Sequence, residues 1–313
     1  MTALVIENNT QLFTPRELTT EGLVGNTPLI PLKKISPGVK ISAKAEWFNP
    51  SGSVKDRPAL NIIRAALAAG ELTADRGLLD ATSGNMGIAY ATLGIPLGVQ
   101  VTLAIPANAS PERLTILRAL GAELVLTDPL EGSDGAIEVA REMASQHADK
   151  YFYADQYNNP TNWQAHYLGT GPEIIEGTSG QVTHFVTGLG TSGTMMGIGR
   201  YLRQYNPNIK LIGVQPDAAF HGLEGLKHMP TAIIPGIYEP ALLDQVLPVS
   251  TEAAFEMTLR LAREEGLFVG VSSGAAAAAA LQVAENLDQG SVVTVFPDAG
   301  YKYLSERFWE AGL

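Results

Sequence analysis

His184-Phe185-Val186-Thr187-Gly188-Leu189-Gly190-Thr191-Ser192-Gly193-Thr194 passes from a short apolar run into a loop of glycines and hydroxyl residues. Met195 to Tyr201 follow with helical spacing. Strand, glycine turn and helix in that order form one unit of a parallel sheet covered by helices. Outward from this unit the same order recurs. Residues 99–105, 123–127, 210–214 and 292–296 read as further strands. Residues 111–120 read as a helix, with Ser110 as N-cap and Pro111 at the first position. Residues 133–145 and 252–265 are two more helices, the second with Thr251 as its cap. The pattern predicts an α/β chain built on mostly parallel sheets. No repeat of fixed period occurs, which argues against a solenoid.

Three glycine-rich turns, at 82–87, 188–193 and 270–274, fall where strands hand over to helices. In open α/β sheets ligands bind at that edge. Each turn alone reads equally well as a tight connection; three together point to one phosphate-bearing ligand approached by several loops. Glycines at 188–194 let backbone amides approach a phosphate, and the Thr and Ser hydroxyls add donors. The loop lacks the closing Lys-Ser/Thr of a P-loop, which disfavours an NTPase. Gly188, Gly190 and Gly193 fit a dinucleotide-binding spacing, but no acidic residue stands near position 213, where a ribose partner is expected.

The 313 residues suffice for two compact units. No long linker separates two halves, so a tandem pair and an inserted domain both remain open. Cysteine is absent, which excludes disulfides, thiolate metal sites and a cysteine nucleophile. The net charge of -11, from 32 acidic and 21 basic residues, repels phosphate backbones and disfavours nucleic acid as a partner. The first 21 residues lack a basic segment followed by an apolar run, and no apolar stretch of about 18 residues exists. A cytoplasmic protein with no membrane partner is therefore expected. The alanine run 275–280 follows the Gly-Val-Ser-Ser-Gly turn and reads as a packed helix start, because Leu281, Val283 and Leu287 continue the spacing. His147, His166, His184, His221 and His228 show no metal-ligand spacing, and no metal is expected.

Asn49-Pro50-Ser51-Gly52-Ser53-Val54-Lys55-Asp56-Arg57-Pro58 marks a turn followed by a helix through Ala59, Ile62 and Ala66. With Ser53 as cap, Lys55 falls in the first turn, where the helix dipole disfavours an ammonium. A lysine held neutral is suited to imine formation. From this segment alone a solvated surface lysine is the competing reading. Thr82-Ser83-Gly84-Asn85-Met86-Gly87 offers hydroxyls, an amide and backbone donors at a helix start, which suits a carboxylate. A capped turn is the plainer alternative.

Taken together, the motifs resemble those of cysteine synthases. Gly25-Asn26-Thr27-Pro28-Leu29, Gly52-Ser53-Val54-Lys55-Asp56-Arg57, Thr82-Ser83-Gly84-Asn85, Gly169-Thr170-Gly171-Pro172-Glu173, the 188–194 loop and Gly270-Val271-Ser272-Ser273-Gly274 stand in that family's order, from about residue 22 to about 307. Asp298-Ala299-Gly300-Tyr301-Lys302-Tyr303-Leu304-Ser305 resembles the B-type and O-phosphoserine-using branch. The resemblance implies a fold-type II pyridoxal-phosphate enzyme, similar to tryptophan synthase β, with Lys55 as the Schiff-base lysine that also moves the Cα proton. It implies that Asn85 contacts the pyridoxal 3′ oxygen. Gly190, Thr191, Ser192, Gly193 and Thr194 are to cup the cofactor phosphate, and Ser272 is to meet the pyridine nitrogen. Thr82, Ser83, Asn85 and Gln156 are to bind the substrate carboxylate. Met86 departs from the family's usual threonine and removes one hydroxyl donor from that loop.

The activity implied is β-replacement of an activated serine by sulfide through an aminoacrylate, giving L-cysteine. Cystathionine β-synthase, a serine/threonine dehydratase and a binding partner in a larger complex are the alternatives. The resemblance also implies a homodimer. A smaller mobile domain, 49–159, is expected between two parts of a larger one, 1–48 and 160–313, with the cofactor in the cleft. Relatives that use O-phosphoserine place an arginine after the strand ending near Pro216, where Lys227 stands here. Lys227 is therefore a substrate-binding candidate, as a point charge without arginine's planar fork. O-Acetylserine, which needs no cation at its leaving group, remains the competing donor.

Overall fold

A computed structural model describes residues 19–82 and 84–310. The strands are β1 (Leu29–Pro31), β2 (Lys40–Ala45), β3 (Gly77–Ala81), β4 (Val101–Pro106), β5 (Glu123–Thr127), β6 (Tyr151–Tyr153), β7 (His184–Gly188), β8 (Lys210–Pro216), β9 (Gln245–Val249) and β10 (Ser291–Phe296). The α-helices are α1 (Asp56–Ala68), α2 (Asn85–Gly94), α3 (Pro111–Leu120), α4 (Gly132–Gln146), α5 (Pro160–Ala165), α6 (Gly171–Gly177), α7 (Gly193–Tyr205), α8 (Thr251–Arg260) and α9 (Val271–Glu285).

The strands form two sheets. One has the order β1-β2-β10-β7-β8-β9, the other β5-β4-β3-β6. All neighbours are parallel except β1, which runs against β2. The fold is α/β, with parallel sheets covered by helices. β4 and β10 are buried at every residue, as helices on both faces of a parallel sheet require. Ile62, Ile63 and Leu60 of α1 pack with Leu78 and Leu103 in the core of the four-stranded sheet. Val186, Val214, Val292 and Phe296 form part of the core of the six-stranded sheet, with the alanines of α9 against it.

Local sequence explains most boundaries. Ser110 Oγ accepts the Arg113 N–H, Pro111 opens α3, and Gly121 closes it at φ +89°. Three expectations need correction. Thr251 is the first residue of α8, and the cap is Ser250, whose Oγ accepts the Ala253 N–H. The chain is α-helical only to Arg260, then widens into a π turn over Leu261–Glu265. Residues 270–274 are not a turn after a strand. Gly270 is the N-cap of α9, and Val271 to Gly274 lie inside the helix. A Cβ on Gly274 would strike Thr258 and the Ala254 carbonyl, so glycine here lets α9 lie close against α8.

Candidate active site

A cavity of about 690 Å3 lies where several strands end. Its wall includes Thr82 after β3, Pro106 of β4, Gly188 of β7 and Pro297 after β10. Strand ends thus deliver two of the three turns singled out in the sequence, 82–87 and 188–193, to the place where the first turn of α9 brings Ser272. Lys55, Thr82, Asn85, Gln156, Gly190, Thr191, Ser192, Thr194, Lys227 and Ser272 all line it. Gly193 is the first residue of α7, beneath the loop. Ser83 lies outside the described residues.

Lys55 stands one residue before α1 and not within its first turn. Ser53 Oγ accepts its backbone N–H at 3.3 Å, but Ser53 is not the cap: Lys55 holds that position, and no side chain caps the helix there. The Lys55 side chain is half-buried, enclosed by protein but facing the cavity. Burial pushes its amine below the ordinary lysine range, opposed by the charge of Asp298. Asp56 accepts from the Ser51 N–H and hydroxyl, and tightens the preceding turn. Arg57 binds Glu46 at 2.7 Å and Glu173 at 2.7 Å, and Glu173 also receives Lys44 Nζ. Thr27 Oγ1 donates to Glu46 at 2.7 Å. Three motifs far apart in sequence therefore form one buried ionic network behind Lys55.

The 188–194 loop is built as an anion cup. Ser192 takes φ +67° as the N-cap of the 13-residue α7. Its Oγ is buried with no hydrogen-bond partner among the described residues. Thr191 Oγ1 accepts from Asn162 Nδ2 at 3.2 Å. A Cβ on Gly190 would meet the Gly225 carbonyl, and one on Gly193 would meet Asn162 Oδ1. An orphaned hydroxyl, a glycine backbone and a helix N-terminus together fit a phosphate monoester. His166 supports the cup from behind, with Nε2 at 3.4 Å from Thr194 Oγ1 and Nδ1 at 2.9 Å from Thr170 Oγ1.

On the opposite side, Thr82 Oγ1 accepts the N–H groups of Gly84 and Gly87. Gln156 Nε2 donates to the Ala81 carbonyl at 2.6 Å, which ties it to the end of β3. Asn85 is engaged on both atoms of its amide. Nδ2 donates to Asp298 Oδ2 at 2.6 Å, and Oδ1 accepts from Lys302 Nζ at 2.9 Å. Met86 is buried in the apolar core beneath the loop while one edge reaches the cavity. Ser272 is buried in the first turn of α9 and faces the cavity.

Lys227 is not a solvated loop residue. It is buried, and its Nζ donates to Asp134 Oδ1 at 2.5 Å. The sequence reading missed Asp134 and the Arg113–Glu224 ion pair, and it singled out the segment of Asp298 and Lys302 without giving either a role. Spacing gives no signal for them, since Arg113 and Glu224 lie 111 residues apart and Asn85 and Asp298 lie 213 apart. Among the described residues no group of three or more His, Asp or Glu side chains could hold a metal ion.

Comparisons with known proteins show the family. A family profile described as "Pyridoxal-phosphate dependent enzyme" matches residues 20–298. A cysteine synthase of Aquifex aeolicus is 54% identical over 292 residues, covering 90% of this chain and 89% of the relative. The chain belongs to the pyridoxal-phosphate dependent enzymes, in the cysteine synthase family. Cysteine synthase B of Escherichia coli is 42% identical over 289 residues, covering 92% of this chain and 94% of that one. A crystal structure of cysteine synthase from Entamoeba histolytica superposes with a TM-score of 0.88 at 34% identity, covering 100% of this chain and 95% of that chain.

Proposed function

We propose that the protein is a cysteine synthase that replaces the β-substituent of O-acetylserine with sulfide, with Lys55 as its catalytic residue. The observation that carries this reading is the placement of Lys55, its amine lowered by burial, on the same cavity wall as the 188–194 loop. Bound pyridoxal phosphate supplies the electron sink that stabilises charge at the substrate Cα. Its phosphate is assigned to Gly190, Thr191, Ser192, Gly193 and Thr194. Ser272 would hold the ring nitrogen, and as a neutral hydroxyl it would stabilise a protonated ring less than a carboxylate does. Thr82, Asn85 and Gln156, with Ser83, hold the substrate carboxylate. That contact orients the Cα hydrogen toward Lys55 Nζ, which takes the proton. Asn85 Nδ2, the donor of its amide, would hold the ring oxygen on leaving Asp298.

The same reading divides the chain into a smaller unit, 49–159, and a larger one, 1–48 and 160–313. The four-stranded sheet draws its strands from residues 77–153, and the six-stranded sheet from 29–45 and 184–296, which supports that division. Closure of the smaller unit over substrate excludes water from the cavity. A cytoplasmic homodimer is the accompanying expectation, and sedimentation tests the dimer. No described helix is long and apolar enough to cross a membrane.

The test is product identification. Holoenzyme with sulfide and O-acetylserine is to yield cysteine. Cystathionine formed from homocysteine in preference, or pyruvate formed from serine, would replace this reading with a synthase or dehydratase of another specificity.

A further inference from the structure

The cavity wall carries three Lys or Arg side chains, Lys55, Arg113 and Lys227, against four carboxylates, Glu131, Asp134, Glu224 and Glu306. Two of the cations are already paired. Lys227 Nζ donates to Asp134 Oδ1 at 2.5 Å and lies 5.0 Å from the centre of the Tyr157 ring. Arg113 is paired with Glu224, and its guanidinium sits 4.8 Å over the Tyr303 ring. The third, Lys55, is reserved for the cofactor. Lys302 lies deeper and spends its Nζ on the Ser51 carbonyl and on Asn85. His221, also on the wall, is held toward its neutral form by burial and by His228.

Asp134 is itself fixed at both oxygens. Oδ1 receives Lys227, and Oδ2 receives the Ile233 N–H at 2.9 Å. To reach Lys227, a phosphate must displace a carboxylate anchored on its other side. It must then share the cavity with that carboxylate, whose charge repels it. An acetyl ester makes no such demand.

We infer that Asp134 is a specificity-determining residue: by occupying Lys227 it limits the donor to serine esters with an uncharged acyl group and excludes O-phosphoserine. This inference rests on the cysteine synthase reading above. Asp134 touches the cation that would recognise the leaving group and takes no part in bond making.

The experiment compares kcat/KM for O-acetylserine and O-phosphoserine, at one sulfide concentration, in holoenzyme of the parent, Lys227→Ala, Asp134→Asn and the double variant. In Lys227→Ala the phospho-to-acetyl ratio is expected to stay within about threefold of the parent, because Lys227 reads no phosphate there. In Asp134→Asn the ratio is expected to rise by about tenfold or more, as a charged hydrogen bond becomes free for the phosphate. Adding Lys227→Ala to that variant is expected to remove the gain. A fall of about ten- to a hundredfold in the ratio for Lys227→Ala alone overturns the inference, since Lys227 would then bind phosphate despite its partner. An unmoved ratio in Asp134→Asn overturns it as well. If Asp134→Asn does not fold, the Lys227→Ala arm decides alone. Failure of the parent to make cysteine from either donor would instead remove the functional reading beneath it.

Discussion

Lys55 shows how a short motif becomes chemistry. Burial lowers its amine below the ordinary lysine range, while Asp298 pulls the other way. The other buried lysines are occupied: Lys44 by Thr27 and Glu173, Lys227 by Asp134, and Lys302 by backbone carbonyls and Asn85. Borohydride treatment of holoenzyme is therefore expected to fix the cofactor to Lys55 alone, read by peptide mass mapping. Lys55→Ala is expected to lose both the label and turnover, and a label on Lys44 or Lys302 would contradict the assignment. The 188–194 loop was legible beforehand because strand, glycine turn and helix follow one another in sequence. The place of Ser272 inside α9 was not, since residues 270–274 read as a turn. Asp134, Asp298 and Glu224 were not, because each acquires its meaning from a partner on another element. Lys227 was legible as a candidate, but its neutralisation by Asp134 could only come from three-dimensional placement.

At the scale of elements, strands with uniform apolar runs were readable, and mixed ones were not. β10 and β8 stood out in sequence, whereas β2, Lys40-Ile41-Ser42-Ala43-Lys44-Ala45, carries a buried lysine that breaks the apolar pattern. Its reason is the ionic network with Glu173, which no periodicity reports. Capping separates two adjacent hydroxyl residues in the same way. Ser250→Ala is expected to cost about 1 kcal/mol in urea unfolding, and Thr251→Ala clearly less, because only Ser250 accepts the Ala253 N–H. Glycine makes the corresponding point at the cup. Gly193→Ala drives a methyl group into Asn162, which holds Thr191. Weaker cofactor retention on dialysis, measured by absorbance, is the expected result, with the far-ultraviolet circular dichroism unchanged.

For the molecule as a whole, one pH dependence of stability is built in at β3, just before the 82–87 loop. Asp80 is buried in β3, and burial pushes its carboxyl up to about 7. Tyr90 OH and the N–H groups of Ala81 and Gln156 bond to it, and Asp155, Tyr153 and Tyr157 lie around it. Between the ordinary carboxylate value of 3.8 and about 7, native Asp80 keeps a proton that the unfolded chain has lost. The native state then binds more protons, so this group's contribution to stability falls as pH rises through that window and is flat above it. Asp80→Asn is expected to shrink the difference between urea midpoints at pH 5 and pH 8; an unchanged difference would place the titration elsewhere. The order of strands has a last consequence, for the birth of the protein. β10, near the end of the chain, lies between β2 and β7. While a ribosome still holds residues 291–296, the six-stranded sheet has a gap at its centre, whereas all four strands of the other sheet have already emerged. The smaller sheet can form while β10 is still inside the ribosome, and the six-stranded sheet closes only once β10 has emerged.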